Sequence, residues 1–378
     1  MTGRRILFLG YFTGFAGGIE RYAFQTALLL RKAGAEVDWC GEVPARGEDS
    51  FRSGFDRVFS APRPADLSSG YDLVAMHKLP SLPVLKQWRE RFGERLVFWA
   101  HDHDLYCPRR HYYIPFGRIN CHRAYSPCRC AICARLSAPH NWKYLRAGQS
   151  ALLRELKCRH AVVLSSFMRD NLLRNGFEPS RIHRIPPVIE PGPGPVRSGS
   201  SGPLKILFLG QLIRGKGADL LLEALRDLAV PWQARIAGDG PDRPMLERMV
   251  REWGMEPKIE FTSWLAEPKA ELAACDVLVF PSRWQEPFGL SGAEAAGCGK
   301  PVAAFDVGGV REWLDDGING FLVPEKDTAA LTAKLELLAR DPALRMRLGA
   351  AGYRLVGERF TPQLFLDHFQ QLIEKVSS

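Results

Sequence analysis

The chain lacks the features that mark several large classes of protein. Its 378 residues include no run of eighteen apolar residues, which excludes a helix that crosses a membrane. Its nine cysteines are odd in number and unevenly spread, so they fit poorly with the disulfide framework of a small secreted protein. No G-x-G-x-x-G sequence directly follows a predicted strand, which argues against a dinucleotide-binding fingerprint.

The first residues, MTGRRILFLGYFTG, contain two arginines and a short apolar run, as a signal peptide does. The run is too short for a signal peptide, and it ends in a glycine loop without a small-residue cleavage site. We therefore predict a first β-strand here and a protein that stays in the cytoplasm.

The composition indicates a globular protein with one basic region. A chain of 378 residues suits two domains of ordinary size, and a hydrophobic content of 46% is typical of globular folds. The net charge of +9 is concentrated, because residues 86–184 contain nineteen Lys and Arg against seven Asp and Glu. Such a region attracts phosphate-bearing partners, namely anionic lipid, a lipid-linked diphosphate or nucleic acid.

One pattern occurs twice. Arg5 to Gly10 and Lys205 to Gly210 are short apolar runs that end in glycine, and each precedes a glycine-containing loop and an amphipathic helix. This strand–turn–helix opening is typical of a doubly wound α/β domain, so we predict two Rossmann-like domains. The stretch between them is dense in Pro, Gly and Ser, as linkers are. The predicted divisions are residues 1–186, the linker 187–203, residues 204–360, and a C-terminal helix at 361–378 that could pack back on the first domain.

Other apolar runs predict the remaining strands of two parallel sheets, and helical patterns alternate with them. These strands are expected at 37–40, 73–76, 96–99, 161–164, 234–237, 259–261, 277–280, 302–305 and 321–323.

The stretch from Pro281 to Val302 carries the clearest functional signal. Glu286 and Glu294 have seven residues between them, and one lies on each side of a predicted helix start. A buried strand precedes them, so Glu286 lies on the strand-to-helix loop and Glu294 in the second turn of the helix. Two such carboxylates suit the hydroxyls of a sugar and a ribose, since a carboxylate accepts short bonds from O–H groups. The alternative is a solvated loop glutamate beside a helix-surface glutamate.

The helix start between these glutamates is a predicted anion site. The N–H groups of Phe288, Gly289 and Leu290 have no acceptors within the helix, and the positive end of the helix dipole points at the same place. Diphosphate is the anion that such a site after a strand most often binds.

Glycine-containing turns follow other predicted strands. Gly17 and Gly18 precede the first helix and let the backbone approach a ligand closely. Arg214 and Lys216 lie on the corresponding turn of the second half, where two cations can neutralise a diphosphate. Gly238 opens a turn where open α/β sheets bind ligands. Each also has an ordinary interpretation, as a plain turn or as surface cations before a helix.

Taken in order, these residues resemble the family 4 glycosyltransferases, which have the GT-B fold. The matching residues are Gly10, Gly17-Gly18, Lys216-Gly217, Gly238-Asp239-Gly240-Pro241, Phe280-Pro281-Ser282, Glu286, Glu294-Ala295, Gly297 and Pro301-Val302. The resemblance covers essentially the whole chain and is strongest from Lys205 to Asp341. It implies two Rossmann-like domains that face a cleft, of which the first binds the acceptor and the second binds the nucleotide sugar.

The resemblance also implies roles for individual residues. Lys216 would hold the donor diphosphate. Glu286 and the amides after it would bind the transferred sugar, and Glu294 would bind the nucleotide ribose. Gly17-Gly18 would close over the phosphates from the first domain, and His101 would face the sugar.

The expected chemistry follows from the charges that develop in the reaction. Breaking a sugar–diphosphate bond leaves positive charge on the sugar ring and negative charge on the phosphate. Lys216, Arg214 and the helix start would stabilise the leaving group, which contributes on the order of 3 kcal/mol in such sites. The family usually has arginine where this chain has Gln211, and Arg214 could supply the missing charge. No metal-binding Asp-x-Asp is needed, and the one in residues 102–104 sits opposite.

Five cysteines cluster in a predicted insertion at about 102–141. Cys130 and Cys133 form a C-x-x-C pair, and Cys107 and Cys121 lie upstream within reach. Four thiolates around zinc would clamp a loop of about thirty-five residues that otherwise lacks regular structure. Disulfides, an iron–sulfur cluster and unconnected thiols are the alternatives. The loop follows His101 and is rich in Arg, His and Tyr, so we expect it to shape the acceptor pocket.

The segment from Trp142 to Lys157 mixes aromatic, leucine and basic residues at near-helical spacing. It could lie on an anionic membrane surface, where lipid-linked acceptors reside. The alternative is an amphipathic helix that packs on its own domain.

We therefore predict an enzyme that transfers a hexose from a nucleotide sugar to a carbohydrate or lipid-linked acceptor. The resemblance implies retention of the anomeric configuration, no catalytic metal, and a UDP-sugar donor by default, with a GDP-sugar as the other option. Such an enzyme would make cell-surface polysaccharide or glycolipid at the inner face of the membrane, and would not bind nucleic acid. The alternatives are a zinc-containing nucleic-acid-binding protein, or an epimerase or phosphorylase on the same fold.

Overall fold

The computed structural model describes residues 1–109, 112–114, 119–137, 148–192, 194, 202–265 and 268–377. The chain divides into two compact units. Unit 1 comprises Met1–Val188 and Pro362–Ser378, and unit 2 comprises Ile189–Thr361. Residues 193 and 195–201 of the predicted Pro/Gly/Ser-rich linker lie outside the described residues.

Unit 1 is built on a seven-stranded sheet. The strands of this unit are β1 Arg5–Leu9, β2 Phe12–Thr13, β3 Glu36–Gly41, β4 Val43–Pro44, β5 Val58–Ser60, β6 Leu73–Met76, β7 Leu96–Ala100, β8 Tyr113–Ile114, β9 Ile119–Asn120, β10 Ala161–Val163 and β11 Ile182–Arg184. The sheet order is β11-β10-β7-β6-β1-β3-β5, and every pair in it is parallel. The central strands are apolar and almost wholly buried, as expected for a parallel sheet covered on both faces.

Six helices of unit 1 precede the linker. They are α1 Gly18–Lys32, α2 Glu48–Arg52, α3 Leu82–Phe92, α4 Pro127–Ser137, α5 Gln149–Leu156 and α6 Ser166–Arg174. Local signals set their ends. The hydroxyl of Ser165 accepts the N–H of Met168 and caps α6, and α3 ends at Gly93, whose φ of 57° favours glycine.

Unit 2 is built on a six-stranded sheet. Its strands are β12 Leu204–Leu209, β13 Trp232–Ala237, β14 Ile259–Thr262, β15 Val277–Phe280, β16 Val302–Phe305 and β17 Gly320–Val323, and its helices are α7 Ala218–Arg226, α8 Arg243–Glu252, α9 Lys269–Ala274, α10 Leu290–Gly297, α11 Thr328–Arg340 and α12 Pro342–Arg359. The sheet order is β14-β13-β12-β15-β16-β17, and every pair is parallel. This is the strand order of a doubly wound Rossmann domain. The prediction of two parallel-sheet α/β domains is confirmed.

The last helix, α13 Pro362–Ser377, belongs to unit 1 although it follows unit 2 in the chain. Its apolar stripe is buried, and the ring of Phe369 lies 5.8 Å from that of Trp99 in β7. None of the described helices has the length and apolar character needed to cross a lipid bilayer.

The expectation that the cysteine insertion lacks regular structure is wrong. β8 and β9 pair there as an antiparallel hairpin, and α4 follows, with Pro127 in its first turn. A hairpin and a single short helix need only local pairing, and both occur here without a strong periodic pattern.

Candidate functional site

Unit 2 has a topological switch point between two neighbouring strands. β12 lies between β13 and β15, so the chain winds outward in both directions from this place. In open α/β sheets, ligands bind at such a point, outside the carboxyl ends of the strands. Lys216 follows β12 and Glu286 follows β15, so the topology brings residues from two distant loops to one edge of the sheet.

Lys216 and Glu286 form an ion pair at this edge. The Nζ atom of Lys216 lies 2.8 Å from Oε1 and 3.0 Å from Oε2 of Glu286. The side chain of Glu286 is 8% exposed, against 26% for Lys216. Ser282 donates its hydroxyl to the same carboxylate at 2.6 Å. The carboxylate is therefore held from two sides by charge-assisted hydrogen bonds.

Backbone contacts tie together the loops that carry this pair. The N–H of Arg283 donates to the carbonyl of Gly215 at 2.8 Å, and the hydroxyl oxygen of Ser282 lies 3.2 Å from the oxygen of the same carbonyl. The N–H of Gly309 donates to the carbonyl of Glu286 at 2.7 Å. The main chain of the protein thus ties together the two loops that carry the ion pair.

A buried ion pair supports the turn that carries Lys216. The guanidinium of Arg283 donates to both carboxylate oxygens of Asp219, and these side chains are 8% and 12% exposed. Nη1 of Arg283 also donates to the carbonyl of Arg214 at 2.8 Å. The side chain of Arg214 is exposed, so the main chain of this residue, rather than its charge, anchors the turn.

Two glycines in this turn are required by close packing. Gly217 has a φ of 73°, and a Cβ on it would lie 1.8 Å from the carbonyl oxygen of Pro281. A Cβ on Gly215 would lie 1.7 Å from the ring of Trp284. Only glycine allows the two loops to approach each other this closely.

The start of α10 lies on the same loop as Glu286. The helix begins at Leu290, and Gly289 before it has a φ of 87°, which favours glycine. Nε1 of Trp313 donates to the carbonyl of Phe288 at 2.7 Å. Because the first N–H groups of a helix have no acceptors within it, this end of α10 presents donors beside a carboxylate and an ammonium group.

Other predicted donor-site residues lie on neighbouring elements. Glu294 is in the second turn of α10 and is partly exposed. Gly238 directly follows β13, and a Cβ on it would lie 1.9 Å from the carbonyl oxygen of Gly210. The turn after β13 therefore packs on the turn after β12.

In unit 1, two histidines follow neighbouring strands. His77 directly follows β6, and His101 directly follows β7. Nδ1 of His77 lies 2.7 Å from Nε2 of His101, and the ring centroids are 5.0 Å apart. His101 was predicted as a site residue, whereas His77 was not. The available signal was a histidine at the carboxyl end of the adjacent strand.

Both histidines are neutral near pH 7. Burial lowers the pKa of His101 to about 3, and the charge of Lys78 adds to this effect. Burial, followed by the proximity of His101, lowers the pKa of His77 well below its usual range. Each neutral ring has one N–H donor and one acceptor, so one proton lies in the bond between them.

Lys78 forms ion pairs with both carboxylates of the Asp-x-Asp motif in residues 102–104. Its Nζ lies 2.8 Å from Oδ2 of Asp104 and 3.5 Å from Oδ2 of Asp102. Burial, with the negative charge of Asp104, raises the pKa of Asp102 to about 7, and Lys78 opposes this shift. The two carboxylates are thus already partnered by a cation of the protein.

Gly17 and Gly18 stand at the start of α1. Gly17 has an extended backbone that any residue adopts, with a φ of −173°. A Cβ on Gly17 would come no nearer than 3.6 Å, to Glu20, and one on Gly18 would meet no described atom within 4 Å. Glu20 itself was missed by the sequence analysis; it is buried in the first turn, and burial raises its pKa.

The four predicted zinc ligands line one cavity of about 300 Å³ in unit 1. These residues are Cys107, Cys121, Cys130 and Cys133. Among the described residues, no group of three or more His, Cys, Asp or Glu is arranged to hold a metal ion, and no cysteine is in a disulfide. Burial raises the pKa of Cys107 to about 11 and also raises the pKa values of Cys130 and Cys133. The zinc prediction has no support in the structure.

The segment proposed for membrane contact is only partly described. Residues 142–147, which include its tryptophan, lie outside the described residues. Leu152, Leu153 and Leu156 of α5 are buried in the core of unit 1. This favours the alternative, an amphipathic helix that packs on its own domain.

Two family models match the chain, one in each half. "Glycosyltransferase Family 4" matches residues 16–192, and "Glycosyl transferases group 1" matches residues 197–355.

Individual proteins match as well. The chain is 33% identical to the D-inositol 3-phosphate glycosyltransferase of Kineococcus radiotolerans, over 90% of this chain and 87% of that protein. It is 29% identical to the lipopolysaccharide core biosynthesis glycosyltransferase LpsD of Rhizobium meliloti, over 45% of this chain and 49% of LpsD. The chain thus spans about half the length of several curated relatives that it matches. The crystal structure of Anabaena HepE in complex with UDP and glucose is similar in fold, with a TM-score of 0.74, 19% identity and coverage of 99% of both chains.

Proposed function

Because the chain belongs to the family 4 glycosyltransferases and has the GT-B fold, we propose that it transfers a hexose from a nucleotide sugar to a carbohydrate or lipid-linked acceptor. Neither the family models nor the relatives support a nucleic-acid-binding protein, or an epimerase or phosphorylase.

The observation that carries this proposal is the ion pair of Lys216 and Glu286 at the start of α10. A diphosphate at this helix start would take the ammonium group of Lys216 as its counter-ion. The carboxylate of Glu286 would then accept hydrogen bonds from the hydroxyls of the transferred sugar. Glu294, on the next turn, would bind the ribose of the nucleotide.

We infer that the donor is a UDP-sugar by default, with a GDP-sugar as the other option. HepE, which shares the fold, was crystallised with UDP and glucose, and this supports a uridine nucleotide. The leaving diphosphate would be stabilised by Lys216 and the helix amides, an electrostatic contribution on the order of 3 kcal/mol. A catalytic metal is not part of the proposal, because Lys78 already partners the Asp-x-Asp carboxylates. Retention of the anomeric configuration stays a prediction from the family.

We infer that unit 1 binds the acceptor. The relatives' names refer to a lipopolysaccharide core and to inositol 3-phosphate, which are both hydroxyl-rich. The cavity in the cysteine insertion is lined by tyrosines and arginines, including Tyr106, Tyr113, Arg109 and Arg129, which suit hydroxyls and phosphate. A lipid-linked acceptor would place the enzyme in the cytoplasm, at the inner face of the membrane.

Nucleotide release from UDP-, GDP- and ADP-sugars tests the proposal. We expect wild type to turn over one donor class, and Glu286→Gln to lose turnover by about 100-fold or more, because a transition-state contact is removed. The control is Glu358→Gln, since this glutamate is exposed on α12, and it should match wild type. Wild-type turnover in Glu286→Gln would refute the role of Glu286. If wild type turned over none of these donors, the proposal that the protein is a glycosyltransferase would be refuted.

A further inference from the structure

His77 has the surroundings of a core residue but the chemistry of a site residue. It is 2% exposed, and its ring lies between the rings of Phe8, at 4.7 Å, and Trp99, at 5.5 Å. Its Nε2 is buried and has no hydrogen-bond partner among the described residues. Its Nδ1 makes a single hydrogen bond, to His101.

An apolar side chain would fill this position at a lower cost. Burying a polar atom without a partner costs about 1–3 kcal/mol, and His77 has one such atom. Burial also keeps the ring neutral, so His77 contributes no charge. The hydrogen bond to His101 is therefore the polar contact that His77 provides, and it fixes the orientation of the His101 ring.

The bond also decides which nitrogen of His101 can reach a ligand. Nε2 of His101 is occupied by His77, whereas Nδ1 makes no hydrogen bond within the part of the chain that the structure describes. His101 is only partly buried, and the ring of Tyr22 packs edge-on against it at 5.0 Å. Because Nε2 of His77 has no partner, a proton there would be a buried, unbonded N–H, so the proton of His77 lies on Nδ1 and is donated to Nε2 of His101. Neutral His101 then carries its own proton on Nδ1, which is a hydrogen-bond donor.

We propose that His77 is a positioning residue for sugar transfer: it holds His101 in one ring orientation and one tautomer, so that Nδ1 alone is open to a ligand at the carboxyl end of β7. This inference rests on the proposed function and on the role that the family resemblance implies for His101, which is to face the transferred sugar. His77 touches no substrate and acts only through His101.

Unit 1 contains a matched control for this bond. His160 and His183 form a second histidine pair, with Nδ1 of His160 lying 2.8 Å from Nε2 of His183. The ring centroids of this pair are 5.1 Å apart, and His160 precedes β10, at the amino end of a strand. Ligands bind at the opposite, carboxyl ends of such strands. Breaking the pair of His160 and His183 therefore removes the same kind of hydrogen bond, but at a place remote from the ligand-binding edge of the sheet.

The experiment compares His77→Phe, His77→Asn and His160→Phe with wild type. For His77→Phe we expect kcat to fall by about tenfold or more, the effect of losing an orienting partner, while the Kd for UDP changes less than about twofold. His77→Asn keeps a polar group near the position of Nδ1 and should recover part of kcat. His160→Phe should retain the wild-type kcat.

Nitrogen-15 NMR of the imidazole rings gives a readout that does not depend on activity. The His101 signals, assigned by their loss in His101→Gln, should show one neutral tautomer in wild type and a mixture in His77→Phe. An unchanged His101 spectrum in His77→Phe would overturn the proposal, and so would a wild-type kcat in that variant. If wild type turned over no nucleotide sugar, the proposed function would fail, and the spectrum alone would decide whether His77 fixes the tautomer.

Discussion

The two cationic side chains in the turn after β12, Lys216 and Arg214, differ in their partners and in their exposure. Lys216 is paired with a carboxylate at the switch point, whereas the Arg214 side chain is exposed and its carbonyl accepts a bond from Arg283. The idea that Arg214 replaces the arginine usual at position 211 thus stays a prediction. The structure places Lys216, and not Arg214, in contact with Glu286.

His101 makes stability depend on pH. Its pKa is about 3 in the folded chain, against an ordinary value of 6.5, so the unfolded chain binds the extra proton as the pH falls below 6.5. Above pH 6.5, His101 therefore does not lower the free energy of unfolding. As the pH falls from 6.5 toward 3, it lowers the free energy of unfolding progressively. Between pH 7 and pH 5, the free energy of unfolding should fall more in wild type than in His101→Gln, by on the order of 1 kcal/mol. Urea denaturation at both pH values measures the difference.

The control for this prediction is His122→Gln, since His122 is exposed. It should show the wild-type dependence on pH. Asp102 contributes in the opposite direction, because its raised pKa makes stability fall as the pH rises from about 4 to 7. An equal slope in His101→Gln and wild type would contradict the lowered pKa of His101.

Among the elements, the loops after β12 and β15 act as one assembly. Arg283 bonds Asp219 and the carbonyl of Arg214, so Arg283→Ala leaves a buried carboxylate unpaired and releases the turn that carries Lys216. We expect the free energy of unfolding of unit 2 to fall by about 3–5 kcal/mol. We also expect weaker UDP binding. Urea denaturation and calorimetric titration with UDP measure these two effects.

Arg226→Ala is the matched control, because Arg226 pairs with Asp227 on the exposed surface of the same unit. Exposed ion pairs contribute little, and the guanidinium also lies 4.9 Å from the centroid of the Trp253 ring, so this variant should lose no more than about 1 kcal/mol. If Arg283→Ala and Arg226→Ala were equally stable, the loops would not depend on the buried pair.

In the whole molecule, the chain forms two cores, and the last helix of the chain belongs to the core of the first unit. α13 follows unit 2 in sequence and buries Phe369 in unit 1. Phe369→Ala should destabilise unit 1 by about 3–5 kcal/mol. UDP should raise only the melting transition of unit 2, since a ligand stabilises the unit that binds it. Differential scanning calorimetry with and without UDP separates the transitions.

Leu364→Ala serves as the control on the same helix, because Leu364 is 38% exposed. It should leave both transitions near their wild-type temperatures. A single transition that UDP and Phe369→Ala move together would show that the two cores do not unfold independently.

Most of the fold could be predicted because its signals are local. A parallel strand buried on both faces is a continuous apolar run, and a helix start after it is marked by glycine, so β1, β6, β12, β15 and β16 were placed within one residue of their bounds. The edge strands β5 and β11 were missed. They are three residues long and partly exposed, so they have neither a long apolar run nor a regular alternation.

For the candidate site, too, local signals predicted some residues, whereas the contacts between them could not be predicted. Residue type and spacing alone indicated Lys216, Glu286 and Glu294, because a cation or a carboxylate after a strand is recognisable in one dimension. His101 was indicated by the family resemblance. Contacts between them are set by strand order, which pairs β12 with β15 and β6 with β7 across long stretches of chain. Only the folded chain therefore showed that Lys216 bonds Glu286, that Lys78 forms ion pairs with both carboxylates of the Asp-x-Asp motif, and that His77 holds His101. Side-chain partners depend on distances between segments remote in sequence, and no local pattern encodes those distances.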